Sequence, residues 1–260
     1  MPPLIVELVG PAGAGKSTLT QALNWRSSRV LPIVHPCYRN IGQAPFFARN
    51  SLLALPTLAA LAAQHHPLMV GTWKRSGANA IPAFRDGDWL SRREIAWMVI
   101  LTGWHTVLRR QGSVGKDVVV LDQGPVYLLT ELHAFGSRVL ASRPAKEWWA
   151  RMYEQWADTL DLVIRLDADD EVLAQRIRAR VQCHIVKDES DEKISEFLGQ
   201  FRTAYDTVIS RLLASSRRLR ILRLDTGEES LDETANRILA ACRLNDDRRG
   251  TGCRTSSVVG

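Results

Sequence analysis

The stretch that decides the fold is "VELVGPAGAGKSTLTQAL", Val6 to Leu23. It runs from an apolar, β-branched segment into glycines, then a lysine with two hydroxyls, then a series of good helix formers. Gly10, Gly15, Lys16 and Ser17 stand in the spacing G-x-x-x-x-G-K-[ST], at the exit of a strand and the start of a helix. Glycines let the backbone turn its N–H groups inward around anionic oxygens, and the helix N-terminus adds a favourable dipole. Gly13 widens the choice of backbone conformation within the loop. The residues Gly10, Pro11, Ala12, Gly13, Ala14, Gly15, Lys16, Ser17 and Thr18 therefore read as a cradle for a triphosphate. Lys16 would reach the β and γ phosphates, and the Ser17 hydroxyl would coordinate Mg²⁺. The plain alternative is a tight strand-to-helix turn. At average composition such a string arises by chance in roughly one chain in a hundred of this size, and the strand and helix on either side lower that further.

Outward from this loop, short apolar runs alternate with longer helical patterns, the signature of a parallel sheet covered by helices. Strands are expected at Leu4 to Val9, Val30 to His35, Asp117 to Leu121, Leu160 to Leu166 and Leu219 to Leu224. Each is nearly continuous in apolarity, as strands buried on both faces are. Helices are expected from Lys16 to Arg26, Phe46 to Gln64, Ser91 to Arg110, Pro125 to Leu140, Ala145 to Thr159, Asp170 to Arg180, Ser190 to Ala214 and Ser230 to Arg243. Between Val70 and Trp89 the pattern breaks into glycine, proline and charge, a loop of functional length. Residues 1–243 read as one domain and residues 244–260 as a disordered tail.

The chain has 260 residues, 45% of them hydrophobic, enough for a sizeable core. Its net charge of +6 favours anionic partners, a bias that a phosphorylated small molecule satisfies. A nucleic-acid role is disfavoured, because no basic stripe interleaved with aromatics lies outside the presumed pocket. Cys37, Cys183, Cys242 and Cys253 have no zinc spacing and read as free thiols. The N-terminus lacks a basic leader, and "SLLALPTLAALAA" is too short to span a membrane, so a cytoplasmic protein is expected. A homodimer is left open.

Binding a triphosphate does not choose among kinase, GTPase and motor. "VVVLDQGPV" has its glycine one position too early for Asp-x-x-Gly, and Asn-Lys-x-Asp and Leu-Ser-Gly-Gly are both missing. The order of the remaining segments resembles the P-loop nucleoside and nucleotide kinases, most of all the thymidylate-kinase-like members. The likeness is carried by the phosphate loop, by "DVVVLDQGPVYLLTEL", by "DLVIRLDADDEVLAQRIRAR", by "SEFLGQFRTAYDTVISRL" and by "RLRILRLDTGEESLDETANRIL". It implies an α/β fold of the P-loop NTPase three-layer type: a five-stranded parallel sheet, helices on both faces and a lid at "VQCHIVKDESDEK". It also implies ATP and Mg²⁺ as cofactors and a small-molecule phosphoryl acceptor.

Asp122, at the carboxyl end of a buried strand, could hold a Mg²⁺-bound water or take a proton from the acceptor hydroxyl, and its plain alternative is capping the helix at Pro125. Arg176 and Arg180, four apart, would share a helix face and stabilise transferred charge. The acceptor side departs from the family. Gln123 follows Asp122 where thymidylate kinases commonly have arginine, Gly103 and Trp104 stand about where a phosphate-binding arginine is expected, and "LPIVHPCYRN" lacks a catalytic glutamate. His35, Tyr38, Arg39, Arg92, Arg93 and Trp97 are the acceptor-side candidates, as ring-stacking and anion-binding groups. The sequence thus predicts a kinase, with a nucleotide-binding regulatory ATPase acting on a macromolecular partner as the rival reading.

Overall fold

The computed structural model describes residues 3–27, 30–34, 51–61, 90–111, 117–181, 184–216 and 218–252. The strands are β1 (Leu4–Val9), β2 (Val30–Val34), β3 (Val118–Asp122), β4 (Leu162–Asp167) and β5 (Arg220–Asp225). They form one sheet in the order β2-β3-β1-β4-β5, parallel at every pairing. The helices are α1 (Lys16–Arg26), α2 (51–61), α3 (Arg92–Gln111), α4 (Pro125–Phe135), α5 (Arg143–Thr159), α6 (Asp170–Arg178), α7 (Asp191–Ser215) and α8 (Leu231–Gly252), with a 3-10 turn at Arg138–Ala141.

The two-residue period of β1 divides the core. Leu4, Val6 and Leu8 join a cluster with Leu19 and Leu23 of α1, Ile177 of α6 and Ile238 of α8. Ile5 and Val9 point the other way, into a larger cluster with Met98 and Trp104 of α3, Val126 and Leu129 of α4, Trp156 of α5 and Tyr205 of α7. Helices therefore cover both faces, and a strand with no exposed face has no reason to alternate polar and apolar residues. Trp148, Trp149 and Trp156 are buried in this layer, as helical spacing predicts. Trp104 is buried with them, its ring edge-on to Trp156 at 6.0 Å, so it is a core residue.

Several ends differ from the sequence reading. α4 stops at Phe135 rather than Leu140, because Gly136 turns the chain out of the helix with an extended backbone. α6 stops at Arg178, which leaves Arg180 beyond the helix and off the face it was expected to share with Arg176. α8 continues to Gly252, through residues read as tail, since nothing between Leu231 and Arg249 is glycine or proline. No helix among the described residues is long and apolar enough to cross a membrane. His35, Tyr38, Arg39, the Val70 to Trp89 loop, residues 182 and 183 and residues 253–260 lie outside the described residues.

Candidate active site

Chain order and sheet order together place the site. The connection leaving β1 runs to one side of the sheet and the one leaving β3 to the other, so the carboxyl ends of these neighbours flank a switch point, where open α/β sheets bind ligands. The loop 10–15 follows β1, and Asp122 ends β3, with Leu8 and Asp122 paired in register. Gly13 and Gly15 have φ of 87° and 83°, left-handed values that the loop needs as it curls back to start α1. At Gly10 a Cβ would press into the Leu166 carbonyl of β4, so only glycine lets the loop leave so close to the sheet.

Lys16 bends over its own loop, its Nζ donating to the carbonyls of Gly10 at 2.6 Å and Pro11 at 2.8 Å. Burial lowers this ammonium to about 8, aided by the nearby Arg180 charge and opposed by Asp122 and Asp167. The Ser17 hydroxyl donates to Asp122 Oδ2 at 2.7 Å, across 105 positions of sequence. Asp122 is buried, and its Oδ1 has no partner. A hydroxyl beside a carboxylate with a spare buried oxygen is the hard-oxygen donor set that suits Mg²⁺, an ion usually held by one or two protein groups, water and phosphate. Among the described residues no cluster of three or more His, Cys, Asp or Glu offers an all-protein cage. The expected alternative for Asp122, capping α4, does not occur: its Oδ2 accepts from Ser17 and its Oδ1 has no partner.

The arginines divide. Arg176 donates to the carbonyl and hydroxyl of Thr226, at 2.8 and 3.0 Å, and to the Gly13 carbonyl at 3.4 Å, which ties the phosphate loop to the turn after β5. Arg180 and His184 sit within electrostatic reach of Lys16; burial, then the Arg180 and Lys16 charges, lower the His184 imidazole. Arg202 of α7 clasps Asp167 with two nitrogens, Asp170, and the Ala168 carbonyl, fixing the turn from β4 to α6. On the other flank Arg93 lies 4.1 Å over the Trp97 ring and reaches Glu131 at 3.4 Å, while the Tyr127 hydroxyl donates to Glu131 at 2.7 Å. Arg93 thus already has an anion, and Arg92 is exposed. Sequence reasoning named neither Tyr127 nor Glu131, whose only signal is their four-residue spacing on a helix that starts beside Asp122.

The chain matches no protein-family model and no curated protein sequence. Its structure is similar to that of thymidylate kinase from Candida albicans, with a TM-score of 0.51 at 12% identity, over 94% of this chain and 93% of that one. The chain shares the overall fold of that thymidylate kinase. Deoxyadenosine kinase from M. mycoides with bound dATP also matches, at a TM-score of 0.46 and 13% identity, over 92% of this chain and all of that one. Within this fold, Lys16, Ser17 and Asp122 meet at the carboxyl end of the sheet, with Arg176 and Arg180 on the side of α6.

Proposed function

We propose that the chain is an ATP- and Mg²⁺-dependent kinase that transfers the γ phosphoryl group to a hydroxyl or phosphate of a small acceptor, a nucleoside or nucleotide by its resemblance. The observation that carries this reading is the Ser17–Asp122 hydrogen bond, which joins the phosphate loop to the end of β3 and leaves Asp122 Oδ1 buried and unpartnered. Residues Gly10 to Thr18 hold the triphosphate through backbone N–H groups, and Lys16 leaves its own loop carbonyls for the β and γ oxygens. Exchanging those two carbonyls for phosphate gives an ammonium lowered by burial a full negative partner. Ser17 and Asp122 are the groups that would hold Mg²⁺, which when bound neutralises charge on the phosphates.

The acceptor oxygen forms its bond to the γ phosphorus as the bond to the ADP oxygen breaks, and its proton leaves to Asp122 or to water that Asp122 orients. Arg180 faces the charge that develops near Lys16, and Arg176 holds the loop in place from the Thr226 side. The segment "VQCHIVKDESDEK", Val181 to Lys193, would serve as the lid that keeps water from the phosphoryl group. Residues 1–243 form the catalytic unit, with His35, Tyr38, Arg39, Arg92, Arg93 and Trp97 on the acceptor side. Asp122→Asn keeps the shape and removes the charge. It is expected to lower turnover by about a hundredfold or more while ATP affinity in EDTA stays as in the wild type. Turnover near the wild-type value in this variant would remove Asp122 from the chemistry.

A further inference from the structure

β1 places one ionisable side chain, Glu7, on the face otherwise given to Ile5 and Val9. It is fully buried. A buried carboxyl is costly unless it is hydrogen-bonded, and both oxygens of Glu7 are: Oε2 accepts from the Val126 amide and Oε1 from the Tyr127 amide, each at 2.9 Å. These amides belong to the first turn of α4, whose donors have no partner within the helix and no side-chain cap at Gly124. The cap therefore comes from the neighbouring strand. The approach is close, since a Cβ on Gly124 would lie 2.7 Å from the Glu7 carboxyl carbon and 2.8 Å from Oε2. Glycine at 124 is what admits the carboxyl.

Between Asp122 and this clamped turn stand two residues, Gln123 and Gly124. Gln123 has φ of 61°, the one positive value outside glycine among the described residues. Such backbone persists where its surroundings hold it. Pairing of β3 with β1 and β2 fixes Asp122 on the strand side, and Glu7 fixes the chain on the helix side. We propose that Glu7 is a positioning residue for Asp122: by clamping the first turn of α4 from the adjacent strand, it holds the strained Gln123–Gly124 connection and so sets the direction in which the Asp122 carboxylate meets Ser17 and Mg²⁺. This inference rests on the metal-binding reading of Ser17 and Asp122 given above.

The test is calorimetric titration of ATP into the full chain, with Mg²⁺ and with EDTA, for the wild type, Glu7→Gln and Gly124→Ala, alongside thermal unfolding. Glutamine keeps the shape but exchanges one acceptor for a donor facing an amide. Alanine at 124 leaves the carboxyl in the protein and moves it off the helix. Each folded variant is expected to bind ATP in EDTA as the wild type does and to lose about tenfold of the affinity gained from Mg²⁺, the scale seen for partners that orient metal ligands. Amide exchange at Val126 and Tyr127 is expected to speed up in Glu7→Gln. If Glu7→Gln does not fold, Gly124→Ala carries the same test with the carboxyl present. Folded variants with the full Mg²⁺ gain would overturn the inference alone. A wild type that binds ATP but gains nothing from Mg²⁺ would overturn the metal site, and the inference with it.

Discussion

Lys16 and Glu7 are ionisable groups at the root of the phosphate loop, the first half-buried and the second fully buried, and burial moves them in opposite senses. The Lys16 ammonium is lowered to about 8, and the Glu7 carboxyl is raised from 4.5 to about 8 by burial, with Asp122 adding to the rise and the helix amides opposing it. For Glu7 the consequence is a pH-dependent stability. Between pH 4.5 and 8 the folded chain keeps a proton that the unfolded chain has released, so this contribution is whole below 4.5 and is lost as pH rises through 8. Urea midpoints at pH 5 and pH 8 should show the wild type losing stability relative to Glu7→Gln over that interval; parallel profiles would contradict the shift. The phosphate loop was legible in the sequence because its residues act within one local pattern. Glu7 was visible only as a lone carboxylate in an apolar strand, since its partners lie 119 and 120 positions away. Asp122 was legible as a strand-end carboxylate, and its bond to Ser17 followed only from the sheet order.

Element positions were easier to read than element ends. Continuous apolar runs mark strands buried on both faces, which is why the β1 bounds, Leu4 to Val9, match those expected. Ends depend on capping contacts that the period does not encode. α4 shows this. The apolar pattern of Leu128, Leu129 and Leu132 resumes at Val139 and Leu140, yet the helix closes at Gly136, whose amide donates to the Leu132 carbonyl at 3.1 Å. A Cβ at this glycine would press into that carbonyl and the Leu140 side chain. Gly136→Ala is therefore expected to cost about 2 kcal/mol, read as a lower denaturant midpoint at unchanged slope. An unchanged midpoint would mean that the turn into the 3-10 segment relaxes freely. Arg180 gives the opposite lesson: helical spacing aligned it with Arg176, but α6 ends first, and Arg180 reaches the Lys16 region from the following segment instead.

Over the whole molecule, the order β2-β3-β1-β4-β5 turns a linear chain into a site by making β1 and β3 neighbours. One side of the sheet carries α1, α6 and α8 and the other α3, α4 and α5, so groups from both layers converge at the switch point. The donor half of the proposed reaction is contained in residues whose geometry is described: the loop, Lys16, Ser17, Asp122 and the arginines of the α6 region. On the proposed acceptor side, Arg93 lies over the Trp97 ring and reaches Glu131, which also accepts from the Tyr127 hydroxyl. The central claim is phosphoryl transfer to a small acceptor, and it is tested most directly by ADP release. The assay uses ATP and Mg²⁺ over a panel of nucleosides, nucleoside monophosphates and other hydroxylated metabolites, with a control lacking acceptor and Lys16→Ala in parallel. The account predicts release that requires an acceptor and disappears in a folded Lys16→Ala protein. Release that is the same with and without every acceptor, or that persists in Lys16→Ala, would contradict it.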